Sequence, residues 1–156
     1  EIRDDETASM AIQSSLTGHL VFSTLHTNDA ASAAVRLIDM NVEPYLVSST
    51  LIGVLAQRLV RRLCGACRQQ SPAGEWSAAG CPQCSGTGFK GRCGIYEMMV
   101  IDESLSAMIG RGASLDAIRA QAKKGGMVSL YENGLHKVAM GITSKAEIER
   151  VCWQGG

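Results

Sequence analysis

Cysteine spacing and one short polar run hold most of the chemistry open to this chain. Cys64-x-x-Cys67 is followed after 13 residues by Cys81-x-x-Cys84, two knuckles at the spacing that lets paired thiolates share a tetrahedral Zn²⁺. Four thiolates fill the coordination sphere and leave no position for water, so such a site is structural rather than catalytic. The competing reading is four reduced thiols without a metal. Cys93 and Cys152 lie outside the pattern; the first opens an expected strand, the second stands between Val151 and Trp153, and both read as buried free thiols.

The second concentration is His26-Thr27-Asn28-Asp29, where the apolar run Leu20 to Leu25 ends in four polar residues. In open α/β sheets ligands bind beyond the carboxyl ends of the strands, which sets Ser23, Thr24, His26 and Thr27 against a bound anion. On the other reading Thr27 and Asn28 only cap the next helix while His26 hydrogen-bonds the backbone. His19 lies seven residues before His26, roughly 23 Å away along a strand extended at about 3.3 Å per residue. The two imidazoles then cannot meet on one phosphate, and His19 is assigned to structure or to an interface.

These residues must be held by alternating helices and strands. A helix after Asp4 has Asp5 and Glu6 in its first turn and Ala8, Ala11, Ile12 and Leu16 at helical spacing, with Gly18 to end it. Residues 20–25 are apolar or β-prone on both parities, the pattern of a strand covered on both faces in a parallel sheet. A helix capped by Thr27 or Asn28 runs on to about Met40, and a strand passing straight into a helix is half of a βαβ unit. Pro44 opens a further helix carrying Leu46, Leu51, Val54, Leu55 and Leu59. Residues 68–80 have a loop's composition, and residues 94–100 read as a strand. Helices are expected over about 102–109, 114–123 and 129–140, then after a cap at Thr143 or Ser144, with Glu147 in capping-box register to Ser144. The fold class is α/β.

A chain of 156 residues, 46% hydrophobic and 19% charged, suits one domain or one with a small appendage. Fifteen basic residues balance fifteen acidic ones, which removes any global pull toward nucleic acid or anionic lipid. Aromatics at 4% offer few platforms for stacking bases. Arg58, Arg61, Arg62 and Arg68 beside the first knuckle support a nucleic-acid zinc ribbon, yet a basic last turn is also what a helix C-terminus favours; no nucleic-acid partner is expected. The opening EIRDDE is acidic where a signal peptide is basic. The longest apolar stretch, Leu46 to Val60, is interrupted by polar residues and falls short of the roughly 20 that span a bilayer. A cytoplasmic protein is expected, in which cysteines serve metal or stay free.

Three stretches together resemble one family. EIRDDETA at 1–8 resembles the end of the Walker B motif of the secretion ATPases that drive type II secretion and type IV pilus assembly. TGHLVFSTLHTNDA resembles their histidine box, the tetracysteine knuckle with GTGFKGRCGIYE their metal-binding insertion, and SLYENGLHKVAMGITSKAEIERV their helical C-terminal part. The resemblance implies a C-terminal portion of a RecA-like domain with a partial parallel sheet over 1–63, a zinc-binding insertion over 64–92, and a strand with a helical subdomain over 93–156.

It also implies roles. Glu1 matches the Walker B glutamate, which orients or deprotonates the attacking water and supports Mg²⁺, because phosphoryl transfer depends mostly on positioning and charge neutralisation. His26 matches the second histidine of the box, near the γ-phosphate, and His19 the first; Arg3, Thr24 and Thr27 are expected on the nucleotide. The chain has no G-x-x-x-x-G-K-[ST], and its nearest string, GTGFKGR, lacks the Gly-Lys-Ser/Thr ending. Without backbone N–H groups and a lysine to cradle phosphates, it is expected neither to bind nor to hydrolyse ATP appreciably alone, and to form part of a larger motor. The implied parent is a homo-hexameric ring on the cytoplasmic side of the inner membrane, peripheral through its partners and coupled to a membrane platform protein. The knuckle suits secretion and pilus extension better than retraction, and VLAQRLVRRLC leans toward type II secretion. A zinc-stapled interaction module with no enzymology is the alternative.

Overall fold

The computed structural model describes residues 1–152. In chain order the elements are α1 (Asp5–Leu16), α2 (Ala30–Asp39), α3 (Pro44–Thr50), β1 (Gly53–Leu63), β2 (Arg68–Gln70), β3 (Trp76–Ala78), a 3-10 turn (Pro82–Cys84), β4 (Phe89–Val100), α4 (Glu103–Gly110), α5 (Leu115–Lys124), α6 (Leu130–Ala139) and α7 (Lys145–Cys152). They divide into two compact units: Glu1–Ala56 with Met98–Met127, and Gln57–Glu97 with the chain from Val128 onward. β1 pairs with β4, and β2 with β3.

The first unit is an aliphatic core inside capped helices. Asp4, Asp29, Asp102 and Ser114 each accept a backbone N–H from the first turn of α1, α2, α4 and α5, satisfying donors that a helix start leaves orphaned. α2 buries Ala30, Ala31 and Ala34 completely, small side chains that let neighbouring elements close on it. Ile109, Ile118, Val47 and Met99 complete the fully buried interior. At about 25 cal/mol per Å² of apolar area, burial of such side chains is what holds this unit.

The second unit rests on polar and sulfur contacts around a smaller apolar set: Val60, Ile95 and Ile148, all fully buried. The β2–β3 pair is antiparallel, with Arg68 opposite Ala78 and Gln70 opposite Trp76. α6 and α7 approach closely at Gly134, where a Cβ would lie 2.8 Å from Ile148.

Four sequence expectations change. The helix read through Leu59 stops at Thr50, and Gly53–Leu63 is strand. From Leu55 to Val60 alternate residues are exposed, a period of two that the helical spacing of leucines concealed. The covered strand at 20–25 is also not formed. Only Leu25 pairs, in a parallel bridge with Ile2, while Leu20 and Phe22 stay 68% and 88% exposed because no described strand lies beside them. The cap of α2 is Asp29 rather than Thr27 or Asn28. Lastly, residues 68–80 contain the β2–β3 pair instead of plain loop. The remaining helices fall within a residue or so of expectation, and α/β is the class observed.

Candidate functional site

The Ile2–Leu25 bridge brings the first residues beside the end of the apolar run, and Ile2 N–H donates to the Thr24 carbonyl at 2.9 Å. From that platform the Glu1 carboxylate meets two cationic or potentially cationic groups. One oxygen lies 2.7 Å from His26 Nε2, and the other accepts from Arg3 Nη2, also at 2.7 Å. The hydrogen bond from Arg3, more than the contact with His26, holds the Glu1 carboxyl below its ordinary range. The His26 side chain is 88% exposed, so the pair faces solvent and is open to a ligand.

Thr27 Oγ donates to the Asp29 carbonyl at 3.1 Å and so braces the turn; Thr24 takes part through its backbone. His19 is elsewhere: its Nδ1 lies 3.1 Å from Thr17 Oγ and 3.3 Å from the Ser14 carbonyl. It closes the C-terminal turn of α1. The structure therefore brings Glu1, Arg3 and His26 together and leaves His19 out.

Asp29, which the sequence marks only as a member of the polar run, anchors the start of α2 three residues after His26. Its carboxylate caps α2 through Ser32 N–H at 2.8 Å and pairs with Arg119 of α5 at 2.6 Å. Burial pushes the Asp29 carboxyl up, but the Ser32 and Arg119 contacts outweigh it and the net shift is down. Asp immediately before an alanine-rich helical stretch is a usable cap signal; nothing in the sequence points to Arg119.

In the second unit the sulfurs of Cys64, Cys67, Cys81 and Cys84 all lie within 4.8 Å of one another. Three of the separations are 3.9, 3.8 and 3.7 Å. A tetrahedron with metal–sulfur bonds of about 2.3 Å has edges of about 3.8 Å, so the residues present fit a Zn²⁺. Burial and neighbouring sulfurs raise the Cys67 thiol to about 12. Burial also opposes ionisation of Cys84, but the N–H groups of Cys81 and Gly88 overcome it and lower that thiol to about 6. Cys93 and Cys152 are half-buried free thiols, and burial raises the Cys152 thiol; Trp153 lies outside the described residues.

The end of β1, next to the insertion, is tied to the C-terminal helices through Arg61, one of the arginines that could have been a basic helix end. Glu147, fully buried, receives the Arg61 backbone N–H at 3.0 Å and guanidinium bonds of 2.7 Å from both Arg61 and Arg150. Burial works against its charge, and the two arginines more than reverse that, lowering the carboxyl to about 2. Thr143 Oγ donates to the Arg61 carbonyl at 2.8 Å. Glu147 N–H does donate to Ser144 Oγ at 3.3 Å, the expected half of a capping box. Its carboxylate, however, serves the arginines.

Comparison with known proteins gives one consistent picture. The family model described as "Type II/IV secretion system protein" matches residues 1–150. The type II secretion system protein HxcR of Pseudomonas aeruginosa is 53% identical, over 97% of this chain and 32% of its own length. The type IV pilus assembly ATPase TfpB of Acinetobacter baylyi is 46% identical over 97% and 29%, and the type II secretion system ATPase E of Vibrio cholerae 45% over 97% and 33%. The chain thus spans about a third of the length of these relatives. The solved structure of the pilus retraction motor PilT with bound ADP shares the fold at a TM-score of 0.72, with 21% identity over 99% of this chain and 38% of its own. The ATPase DotB of Legionella pneumophila does so at 0.67, with 21% identity over 96% and 36%.

Proposed function

This chain belongs to the type II/IV secretion system protein family, and from that premise we propose that it forms the C-terminal part of the motor domain of a type II secretion ATPase. The observation that carries the reading is the 2.7 Å contact between Glu1 and His26. Two motifs separated in sequence meet where Ile2 bridges Leu25, the position at which α/β folds usually receive a phosphate-bearing ligand. In this reading the parent couples ATP hydrolysis to pseudopilus assembly, as a homo-hexamer working on an inner-membrane platform protein. Pilus extension is the second reading, supported by the 46% identity to a pilus assembly ATPase.

ATP would supply the phosphoryl group and Mg²⁺ would offset its charge. Glu1 is the residue to hold a water or a hard cation, since its carboxylate is kept ionised by Arg3. His26 restrains the carboxylate on one side and presents the rest of its ring outward. Arg3 sits 2.7 Å from the same carboxylate and sets a positive charge against it. Thr27 braces the turn that carries His26, and Thr24 accepts the Ile2 N–H through its carbonyl beside it. His19 acts in structure or at a subunit contact. Zn²⁺ would be held by Cys64, Cys67, Cys81 and Cys84 as a closed structural site that ties together an insertion of polar composition. The motif-based parts of this motor are 1–63, 64–92 and 93–156.

A phosphate-release assay tests the reading. The 156-residue chain given MgATP should release no phosphate above buffer, because no segment in it supplies a P-loop. Turnover by the isolated chain at the rate of the full-length parent would overturn the assignment.

A further inference from the structure

One cavity, of about 280 Å³, lies in the second unit and is unused by anything above. Arg62, Arg68 and Lys90 line it, and its walls are completed by Leu63, Gly65, Gly141 and Ile142. No carboxylate is among them. No acidic side chain of the described residues pairs with Arg62, Arg68 or Lys90. Arg61, one residue from Arg62, shows the alternative: its guanidinium is spent on buried Glu147. Three cations around one cavity with no compensating acid repel one another, and an anion removes that repulsion.

The cavity also holds one of its cations in place. Arg68 Nη1 donates to the Gly141 carbonyl at 2.6 Å, and its guanidinium stacks over Trp76 at 4.8 Å. Gly141 permits this arrangement, since a Cβ there would lie 2.6 Å from the Trp76 ring. A guanidinium fixed in this way loses little freedom when it binds, and its remaining N–H groups match phosphate oxygens. A zinc held by four thiolates would carry negative charge nearby, part of it on Cys84, whose sulfur accepts from the Cys81 and Gly88 N–H groups, and none of the three cations has a hydrogen bond to a cysteine sulfur among those of the described residues. The cavity is at the small end of ligand pockets, which begin near about 300 Å³, so a headgroup fits better than a whole nucleotide.

We propose that this cavity is a phosphate-binding site in which Arg62, Arg68 and Lys90 hold a phosphate or diphosphate group, carried by a soluble ester or by an anionic lipid headgroup. It is separate from the Glu1–His26 pair and does not rest on the motor reading.

Calorimetric titration of the 156-residue chain with inorganic pyrophosphate tests it. The expected dissociation constant is on the order of 0.1–1 mM at low salt, rising with ionic strength. The double variant R62Q/K90Q should weaken binding about tenfold or more, while Arg111→Gln, exposed in the first unit, should leave it unchanged. Arg62 and Lys90 are exposed; if the double variant loses its far-UV circular dichroism, the single Lys90→Gln replaces it. In a second arm the chain is sedimented with phosphatidylcholine vesicles with and without phosphatidylglycerol. Pelleting only with phosphatidylglycerol, lost in the variant, assigns the headgroup source; pyrophosphate binding without pelleting assigns a soluble ester. Binding equal in wild type and variant, or none of either probe, overturns the proposal.

Discussion

The two units of this chain solve the same stability problem with different materials. The first buries alanine, isoleucine and valine inside helices whose starts are capped by Asp or Ser. The second hangs on four sulfurs, one buried glutamate shared by two arginines, and an arginine laid on a tryptophan. Non-directional burial tolerates local change and weakens gradually; ligand-like contacts have few members, and losing one leaves its partners unsatisfied.

Metal removal should separate the units most sharply. Chelation of zinc-loaded protein, or Cys81→Ser, should melt the Cys64–Cys84 region, because binding energy at a structural zinc is folding energy of about 10 kcal/mol in small metal-dependent domains. Hydrogen exchange would then show lost protection in β2, β3 and the 3-10 turn, with α2 and α4 unchanged. Protection that survives in both units without metal would erase the contrast.

A core truncation probes the other side. Ile109→Ala, at a fully buried position, should cost about 2–5 kcal/mol in denaturant unfolding followed by probes in α4 and α5, with the thiol–metal absorption of cobalt-substituted protein retained. Glu147→Gln should cost less, about 1–3 kcal/mol, since it removes charge-assisted bonds to two half-exposed arginines. It also carries a pH signature. The Glu147 carboxyl falls from an ordinary 4.5 to about 2 on folding, so its contribution is complete above pH 4.5 and disappears as pH falls toward 2. Thermal melts between pH 6 and 3 should therefore converge for wild type and Glu147→Gln; parallel curves would show that the ion pair adds nothing.

What the sequence disclosed follows the same division. Helices with an aliphatic stripe and an Asp or Ser cap were readable, as α4, α5 and α6 show, because burial and capping leave local patterns. The cysteine cluster was readable from spacing alone. β1 was misread because Leu51, Leu55 and Leu59 recur every four residues, as in a helix, while the strand period shows only in which of 55 to 60 are buried. Residues 20–25 read as covered although they are not, because apolar composition reports what a strand could bury and not whether a neighbour is present. Arg119 with Asp29, and Arg61 with Glu147, join residues far apart in sequence. No local pattern encodes such pairs. The motif resemblance sets Glu1 and His26 each near a γ-phosphate, but nothing in the sequence gives their direct contact, which appears only in the fold.

The central claim is that this contact marks the chemical end of a secretion motor, and ATP turnover by the full-length parent carrying His26→Ala, beside Glu1→Gln, measures it most directly. Both variants should lose about 100-fold or more in turnover while nucleotide affinity stays within about twofold of wild type. Undiminished hydrolysis by either variant would contradict the account.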